Sequence, residues 1–380
     1  MDKKLIALAV ASLFVAPMAM ADDSSVVISG QMHVSVDSLD GANAAKNGMT
    51  RQTNVSSNAS FIQFGGKEDL GNGLNAIWLL KTYVSLGGTG TSDVGVSTDS
   101  FANGPAYAGL SGKSWGAVKL GKDESPMKLM GRKVDLFNNQ IGDIRNFSLG
   151  FDTRPNNIVE YNSPNLGGFT ANVMYGTNTD VNFGLLGTPV INGATTDKSV
   201  DLLSASAMYD AGPFFVGLGY ERHNLSNQNG LAVAATPITN AVTYSGVSDE
   251  KDWRVSAGAN LGDFKLVGMY EKGTDLKGVS GNDRKVYGLG AAYKMASNTI
   301  KAQFYKAGNL GNQSDSGAKM YAIGFDHALS KRTTAYLAYA RTNNDTNGQF
   351  SAFGGGHGDN PGTIKGDNPS GFSVGMIHNF

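Results

Sequence analysis

Most of the chain alternates between apolar and polar residues with a period of two. In the segment 252–261, Trp253 and Val255 share one face, whereas Arg254 and Ser256 share the other. A period of two is typical of a β-strand with one apolar and one polar face, because a helix would repeat every 3.6 residues. Clusters of Gly, Asn, Asp and Ser interrupt the alternation at intervals of about ten residues. The pattern therefore predicts a protein built mainly of strands.

Sixteen segments of this kind follow one another along the chain. The predicted strands lie near 26–38, 59–69, 74–86, 105–112, 115–122, 157–163, 168–176, 200–209, 214–223, 251–261, 263–272, 285–295, 299–307, 318–327, 333–342 and 371–380. Seven connections are short turns, around 70–73, 111–114, 164–167, 210–213, 262, 296–298 and 328–332. Eight are long loops, at 39–58, 87–104, 123–156, 177–199, 224–250, 273–284, 308–317 and 343–370. Short and long connections alternate strictly, so antiparallel strands would place every long loop at one end.

An even number of strands with short turns at one end and long loops at the other is typical of an outer-membrane barrel. Its apolar face points to lipid and its polar face lines the interior. Closure also pairs every backbone group, which lipid requires. The sequence therefore predicts an all-β fold, a 16-stranded antiparallel transmembrane β-barrel with short periplasmic turns and long external loops. The alternative is a soluble β-sandwich or propeller, which would also alternate but would need no alternation of loop lengths.

Aromatic side chains gather at both ends of the predicted apolar faces. Those expected near the short turns are Phe169, Tyr209, Phe214, Phe264, Tyr293, Phe325 and Phe372. Those expected toward the long loops are Tyr175, Tyr220, Tyr270 and Tyr339. Two aromatic bands suit the two membrane interfaces of a barrel, although strands favour aromatic residues in any setting.

Composition and charge narrow the range of functions. With 31 basic and 32 acidic residues the net charge is −1, which argues against a nucleic-acid partner. The absence of cysteine excludes a disulfide scaffold, a thiolate zinc site and a cysteine nucleophile. The five histidines show no pair at metal-ligand spacing. We therefore expect no catalytic residues, no metal, no cofactor and no enzyme activity.

The first 21 residues have the pattern of a secretory signal peptide. A basic start precedes an apolar stretch, and Ala19 and Ala21 supply small residues at a cleavage position. We expect cleavage before Asp22, which leaves 22–380 as a single barrel domain. A retained anchor is the alternative, but a spanning helix needs about twenty apolar residues and this stretch is shorter. No later apolar run reaches that length, so a helical membrane protein is excluded.

Several stretches carry a family likeness: 25–30 (SVVISG), 64–76 (FGGKEDLGNGLNA), 106–110 (AYAGL), 115–121 (WGAVKLG), 158–164 (IVEYNSP) and 372–380 (FSVGMIHNF). They resemble the general porins of Gram-negative outer membranes, of the neisserial and β-proteobacterial type. The resemblance implies a homotrimer of barrels among outer-membrane lipids, each with a water-filled channel for passive diffusion of ions and small hydrophilic solutes. It implies that the third external loop, 123–156, folds inward and narrows the lumen. It also implies that the terminal Phe380 is read by the barrel-assembly machinery.

Alternation assigns the charged side chains that face the predicted lumen. His33, Arg254, Lys265, Glu271 and Lys301 are expected inside, as are three residues close to the third loop: Lys81, Lys119 and Glu160. With the charges of the third loop, the candidate pore constriction consists of Lys81, Lys119, Asp123, Arg132, Asp135, Asp143 and Glu160. In this prediction Asp135 and Asp143 face the two lysines across the opening, so that a transverse field acts on passing ions.

The sequence departs from the related porins at residues that set ion preference. Phe61 and Gly65 stand where the family usually has basic residues, and Glu160 stands where it often has arginine. Lys81 stands where the family often has an acid, which compensates in part. We therefore expect only weak ion selectivity. One alternative function is an outer-membrane barrel enzyme, which would need an exposed Ser or Asp with a His partner at the outer wall. The others are a substrate-specific outer-membrane channel, which for sugars would show a run of aromatic residues along the lumen, and an adhesin-like barrel.

Overall fold

The computed structural model describes residues 25–43, 48–86, 101–177, 179, 200–228, 232–233, 242–243 and 246–380. Its strands are β1 (Ser25–Asn43), β2 (Gly48–Ser57), β3 (Phe61–Gly71), β4 (Leu74–Tyr83), β5 (Ala106–Gly112), β6 (Gly116–Lys122), β7 (Ile158–Asn162), β8 (Phe169–Gly176), β9 (Leu202–Ala211), β10 (Phe214–His223), β11 (Ala232–Val233), β12 (Val242–Thr243), β13 (Glu250–Leu261), β14 (Phe264–Thr274), β15 (Arg284–Met295), β16 (Asn298–Ala307), β17 (Ala318–Ala328), β18 (Thr333–Asn344) and β19 (Ser370–Asn379). The helical elements are α1 (Pro126–Arg132) and three 3-10 turns, Ile144–Asn146, Leu225–Gln228 and Leu276–Gly278. Across the described ranges, none of the helices has the length and apolarity needed to span a bilayer. The predicted signal peptide, 1–21, lies outside the described residues, as do parts of the predicted loops 39–58, 87–104, 177–199 and 224–250.

Sixteen of the strands, all except β2, β11 and β12, form a closed antiparallel ring in chain order. The ring closes where β1 pairs with β19, from Gln31↔Asn379 to Asp40↔Ser370. β10 pairs directly with β13, so the short β11–β12 hairpin stands apart from the ring. Tight connections such as 262–263 join strands at one end, and the long connections join them at the other. The predicted strand count and the alternation of connection lengths are confirmed.

The predicted first loop, 39–58, is wrong, because most of this segment is a strand hairpin. β1 continues to Asn43 and pairs with β2 from Val34↔Ser57 to Asn43↔Gly48. β3 then takes over the same edge of β1 from Gln31↔Phe61. Between these two pairs the partner strand contains one residue more than β1, and the resulting bulge includes Ala59, whose φ is 53°. The sequence of β2 is mostly polar, so hydrophobic alternation could not reveal it.

The burial pattern of the strands is the reverse of that in a soluble protein. On β13, the apolar Trp253 and Val255 are 48% and 41% exposed, whereas Arg254 and Ser256 are 0% and 1% exposed. The same inversion recurs on β10, where Leu218 is 47% exposed and Glu221 is fully buried. An outward apolar surface of this extent suits lipid and excludes the soluble sandwich.

Paired aromatic rings line the outer wall near both ends of the barrel. Phe264 and Tyr293 stack with centroids 4.4 Å apart beside the short turns. At the opposite end, Tyr339 and Phe372 lie 4.7 Å apart. The placement of Phe372 near the short turns was therefore wrong. It lies at the start of β19, and a long loop precedes this strand.

The C-terminal residue completes the closure of the ring. Gly30 and Phe380 exchange two backbone hydrogen bonds, of 3.0 and 3.1 Å. The ring of Phe380 also lies so close over Gly30 that a Cβ at this position would collide with it. Phe380 thus fixes the first strand against the last.

Candidate functional site

The connection between β6 and β7 is shaped by two short helical turns. The hydroxyl of Ser125 accepts a hydrogen bond from the Lys128 N–H at 3.3 Å, and Pro126 begins α1. A capping serine followed by proline is a strong start signal for a helix. Asp143 caps the 3-10 turn in a similar way, accepting from the Arg145 N–H at 2.8 Å. The local sequence therefore sets both turns.

Apolar side chains of this connection pack against the inner wall of the barrel. Those that are at most 2% exposed are Met127, Met130, Val134, Phe137, Ile141, Ile144, Phe147 and Phe151. Their partners include Phe215, Met269 and Tyr305 on the inward faces of the strands. Gly142, with a φ of 86°, lies against Ala322 and Ala340, where a side chain would collide. The prediction that 123–156 folds inward is confirmed, and the loop forms a layer on one side of the lumen.

Buried polar contacts anchor this layer to the wall. Arg254 donates to Asp152 at 2.7 Å and to the Met127 carbonyl at 3.2 Å, and it pairs with Glu271 at 3.1 Å. Burial raises the pKa of Asp152, but the Arg254 guanidinium more than offsets this, so the pKa lies below its usual range. Lys301 donates to Gln140 at 3.0 Å. The inward assignment of Arg254, Glu271 and Lys301 from alternation is therefore confirmed.

A second cluster surrounds Glu124, which is 4% exposed. Arg132 donates two hydrogen bonds to its carboxylate, one of them 2.6 Å long, while Lys128 lies 3.4 Å away and Arg154 lies 3.9 Å away. Burial opposes ionisation, but the three cations together lower the pKa of Glu124 to about 2. Burial also lowers the pKa of Lys128 to about 7, although Glu124 acts against this. This region carries more positive than negative charge.

Lys119, Asp123 and Glu160 form one chain of contacts, as neighbouring members of the predicted constriction. Lys119 Nζ donates to Asp123 at 2.8 Å and lies 3.4 Å from Glu160. Lys81 is different, because its Nζ lies 3.4 Å from the centre of the Phe61 ring. In the described part of the chain, Lys81 has no ion-pair partner. Lys119 is therefore paired with carboxylates at contact distance, and Lys81 is not.

The structure does not bring Asp135 and Asp143 into the opposing position that the sequence suggested. Asp143 is fully buried and binds Arg145, with 2.6 Å between Arg145 Nη2 and Asp143 Oδ2. Asp135 is 7% exposed and accepts from Gln303 on β16 at 3.2 Å. Burial, together with the nearby charge of Asp143, raises the pKa of Asp135 to about 7. Both carboxylates are bound by these partners, and neither pairs with Lys81 or Lys119.

Sequence reasoning passed over Glu124, Lys128 and Arg154 as members of the site. Glu124 and Lys128 are four residues apart across the start of α1, and this spacing is a signal that could have paired them.

The last external loop was also missed as part of the interior. Its Phe353 is fully buried, and its Ala352 carbonyl accepts from the Gly142 N–H at 2.9 Å. This glycine-rich segment carries no pattern that would have indicated an inward path.

Over residues 7–347 the chain matches a family model described as Gram-negative porin. The chain belongs to the Gram-negative porin family. It is 30% identical to outer membrane porin protein 32 of Delftia acidovorans over the full length of both chains. It is 27% identical to the major outer membrane protein P.IB of Neisseria gonorrhoeae over 89% of this chain and 92% of that one. The neisserial and β-proteobacterial type of the resemblance is confirmed.

Solved structures of other porins share the fold. The anion-selective porin from Comamonas acidovorans is 25% identical, with a TM-score of 0.72 over 94% of this chain and 100% of that one. The trimer form of OmpT from Vibrio cholerae is 14% identical, with a TM-score of 0.63 over 94% of this chain and 100% of that one, which shows the fold alone. This porin is therefore an outer-membrane channel for passive diffusion, as the sequence predicted.

Proposed function

We propose that the porin's constriction is formed by Lys81, by Lys119 with Asp123 and Glu160, and by Glu124 with the three cations around it. We propose that this constriction weakly favours anions. The observation that carries the proposal is that Lys81 has no ion-pair partner among the described residues, in a region where cations outnumber carboxylates. Five cations of this region, Lys81, Lys119, Lys128, Arg132 and Arg154, stand against three carboxylates, Asp123, Glu124 and Glu160. Fixed charge at the narrowest section of a pore sets which ions enter.

The preference is expected to be small. Most of the positive charges lie beside carboxylates, and Lys128 is close to its titration point at neutral pH. A tenfold permeability ratio corresponds to about 1.4 kcal/mol. One unit charge several ångströms from an ion in water contributes only about 0.5 kcal/mol. The name of the Comamonas relative, an anion-selective porin, supports the sign of the preference.

Reversal potentials in a potassium chloride gradient test this proposal. The wild-type channel should favour chloride by less than tenfold. Lys81→Glu should shift the reversal potential toward cations, and Lys81→Gln should shift it by about half as much. Lys113→Gln is the matched control, because Lys113 is exposed in the turn between β5 and β6. An unchanged potential in Lys81→Glu would remove Lys81 from the constriction.

We also propose that the assembled protein is a homotrimer in contact with outer-membrane lipids, and that it reaches the membrane by export and machinery-assisted insertion. The trimer form of OmpT supports the oligomeric state. A trimer predicts single insertion events that close in three equal steps and a detergent-resistant band of three times the monomer mass. Insertion events that each close in one step, together with a band at the monomer mass, would contradict it.

A further inference from the structure

The ammonium group of Lys81 rests against two aromatic rings on the inner wall. Its Nζ lies 3.4 Å from the centroid of Phe61 and 4.9 Å from the centroid of Tyr83. Phe61 and Tyr83 are directly opposed in the register of β3 and β4, and their rings meet edge-on with centroids 6.2 Å apart. A cation within about 6 Å of a ring centroid is attracted by the negative face of the ring. The two rings therefore form a cation–π site for the ammonium group.

The other cations of the constriction are held by carboxylates instead. Lys119 binds Asp123 at 2.8 Å, and Arg132 makes two hydrogen bonds with Glu124. A carboxylate at contact distance cancels the field of its cation, whereas an aromatic ring carries no net charge and holds the cation without cancelling it. Among the described residues Lys81 has no carboxylate at contact distance, so no ion-pair partner cancels its charge.

One ring of this cation–π site, that of Tyr83, is held in place by other neighbours. Tyr83 is 3% exposed, and its hydroxyl accepts from Arg154 Nη2 at 3.3 Å. The Arg154 guanidinium also lies over the Tyr83 ring, 4.8 Å from the centroid. The Tyr83 N–H donates to the Asn103 side chain at 2.7 Å. These contacts hold Tyr83, so Phe61 is the ring whose removal would change the surroundings of Lys81 with least disturbance elsewhere.

We propose that Phe61, together with Tyr83, is a positioning residue that sets ion preference by keeping Lys81 away from acidic partners. This inference rests on the proposed anion preference. The charges of Glu124 and Asp123 attract Lys81 from the third loop, whereas those of Arg132 and Arg154 repel it. Lysine has a long flexible stem, so without the Phe61 ring its ammonium group can turn toward these carboxylates. Loss of the ring should then resemble loss of the charge.

A double-mutant cycle tests the coupling. Reversal potential and single-channel conductance are measured for the wild type, Phe61→Leu, Lys81→Gln and the double variant. Phe61→Tyr serves as the conservative rescue. Phe64→Leu serves as the control, because Phe64 lies on the opposite face of β3, against Phe101. Heat-modifiable migration in gels identifies folded barrels, and Phe61→Met replaces Phe61→Leu if the latter does not fold.

Lys81→Gln should lower the chloride-to-potassium ratio about twofold, the order expected for one unit charge in water. Phe61→Leu should give most of that loss, Phe61→Tyr should restore the ratio, and the double variant should match Lys81→Gln alone. A normal ratio in Phe61→Leu would overturn the inference, as would an equal further loss on the Lys81→Gln background or no effect of Lys81→Gln. A wild-type channel without anion preference would instead overturn the proposed function.

Discussion

His357 Nε2 lies 3.1 Å from Asp37 Oδ2, and both side chains are fully enclosed. This contact joins the last external loop to β1, across the closure of the barrel. Ser56 on β2 also contacts Asp37, and it lies 2.7 Å from Asp359 of the same loop. The inward path of the last loop is thus held by a compact polar cluster.

His357→Ala should release this loop. The change removes the imidazole from the buried Asp37 carboxylate and leaves Ser35 and Ser56 as its partners, which costs about 1–3 kcal/mol. Lys365, in the same loop, should then be cleaved by trypsin several-fold faster in native barrels. His327→Ala is the control, since His327 bonds Asn298 at the opposite end of the barrel. Equal cleavage rates in His357→Ala and the wild type would show that the contact does not hold the loop.

The anion preference should fall as the pH rises through about 7. The pKa of Lys128 is lowered to about 7, so this group loses its positive charge over that range. The pKa of Asp135 is raised to about 7, so this group gains negative charge over the same range. Both changes favour cations, and reversal potentials between pH 5.5 and 8.5 should show a drop of about two- to fourfold in the chloride-to-potassium ratio.

Lys128→Met and Asp135→Asn should each remove part of this pH dependence. Lys128→Met should also lower the anion preference at acid pH, where the native lysine is charged. Asp135→Asn should raise the preference at alkaline pH, where the native aspartate is ionised. A ratio in the wild type that rises with pH, or that is flat, would contradict the assignment of these two groups.

Arg254→Ala should loosen the third loop. The arginine pairs with both Asp152 and Glu271, so its removal takes the paired cation from two buried carboxylates. Breaking a buried pair costs about 3–5 kcal/mol. Urea unfolding followed by tryptophan fluorescence should shift to lower concentration, and the open-channel current should become larger and noisier. Arg341→Ala is the control, because Arg341 is exposed and bonds Asn343 on the same strand. Matching stability in the two variants would argue against the anchor.

Phe380→Ala should reduce the amount of folded porin in the outer membrane several-fold. The residue is expected to be an assembly signal, and in the structure it also closes the ring over Gly30. Phe372→Ala is the comparison, since Phe372 is 58% exposed and belongs to the aromatic band at the other end. Equal yields from the two variants would mean that Phe380 contributes only as another aromatic residue at the interface.

The barrel could be predicted from the sequence because each strand separates lipid from a wet interior. Because of that contrast, apolar and polar residues alternate along each strand, as in Trp253 and Arg254, and the pattern can be seen without knowing any distant contact. The third loop could be located only through the family resemblance. Its apolar residues pack on strands far away in sequence, such as Phe147 near Tyr305.

The charges of the constriction were harder to assign. Asp135 and Asp143 look like free loop acids in the sequence. In the structure Gln303 donates a hydrogen bond to Asp135, and Arg145 pairs with Asp143. Glu124 was passed over because its significance depends on Arg154, thirty residues later in the loop, folding back beside it. Such contacts are decided by tertiary packing, so alternation and spacing alone do not determine them.

The most direct test of the account is conductance across a planar lipid bilayer after addition of the purified protein in detergent, with a salt gradient. We predict that the conductance rises in steps and grows in proportion to salt concentration, as for a water-filled channel. The reversal potential should be displaced weakly toward the chloride equilibrium potential. A bilayer that stays electrically silent, while the same preparation shows folded barrel in gels, would contradict the central claim that this ring of strands encloses an open channel.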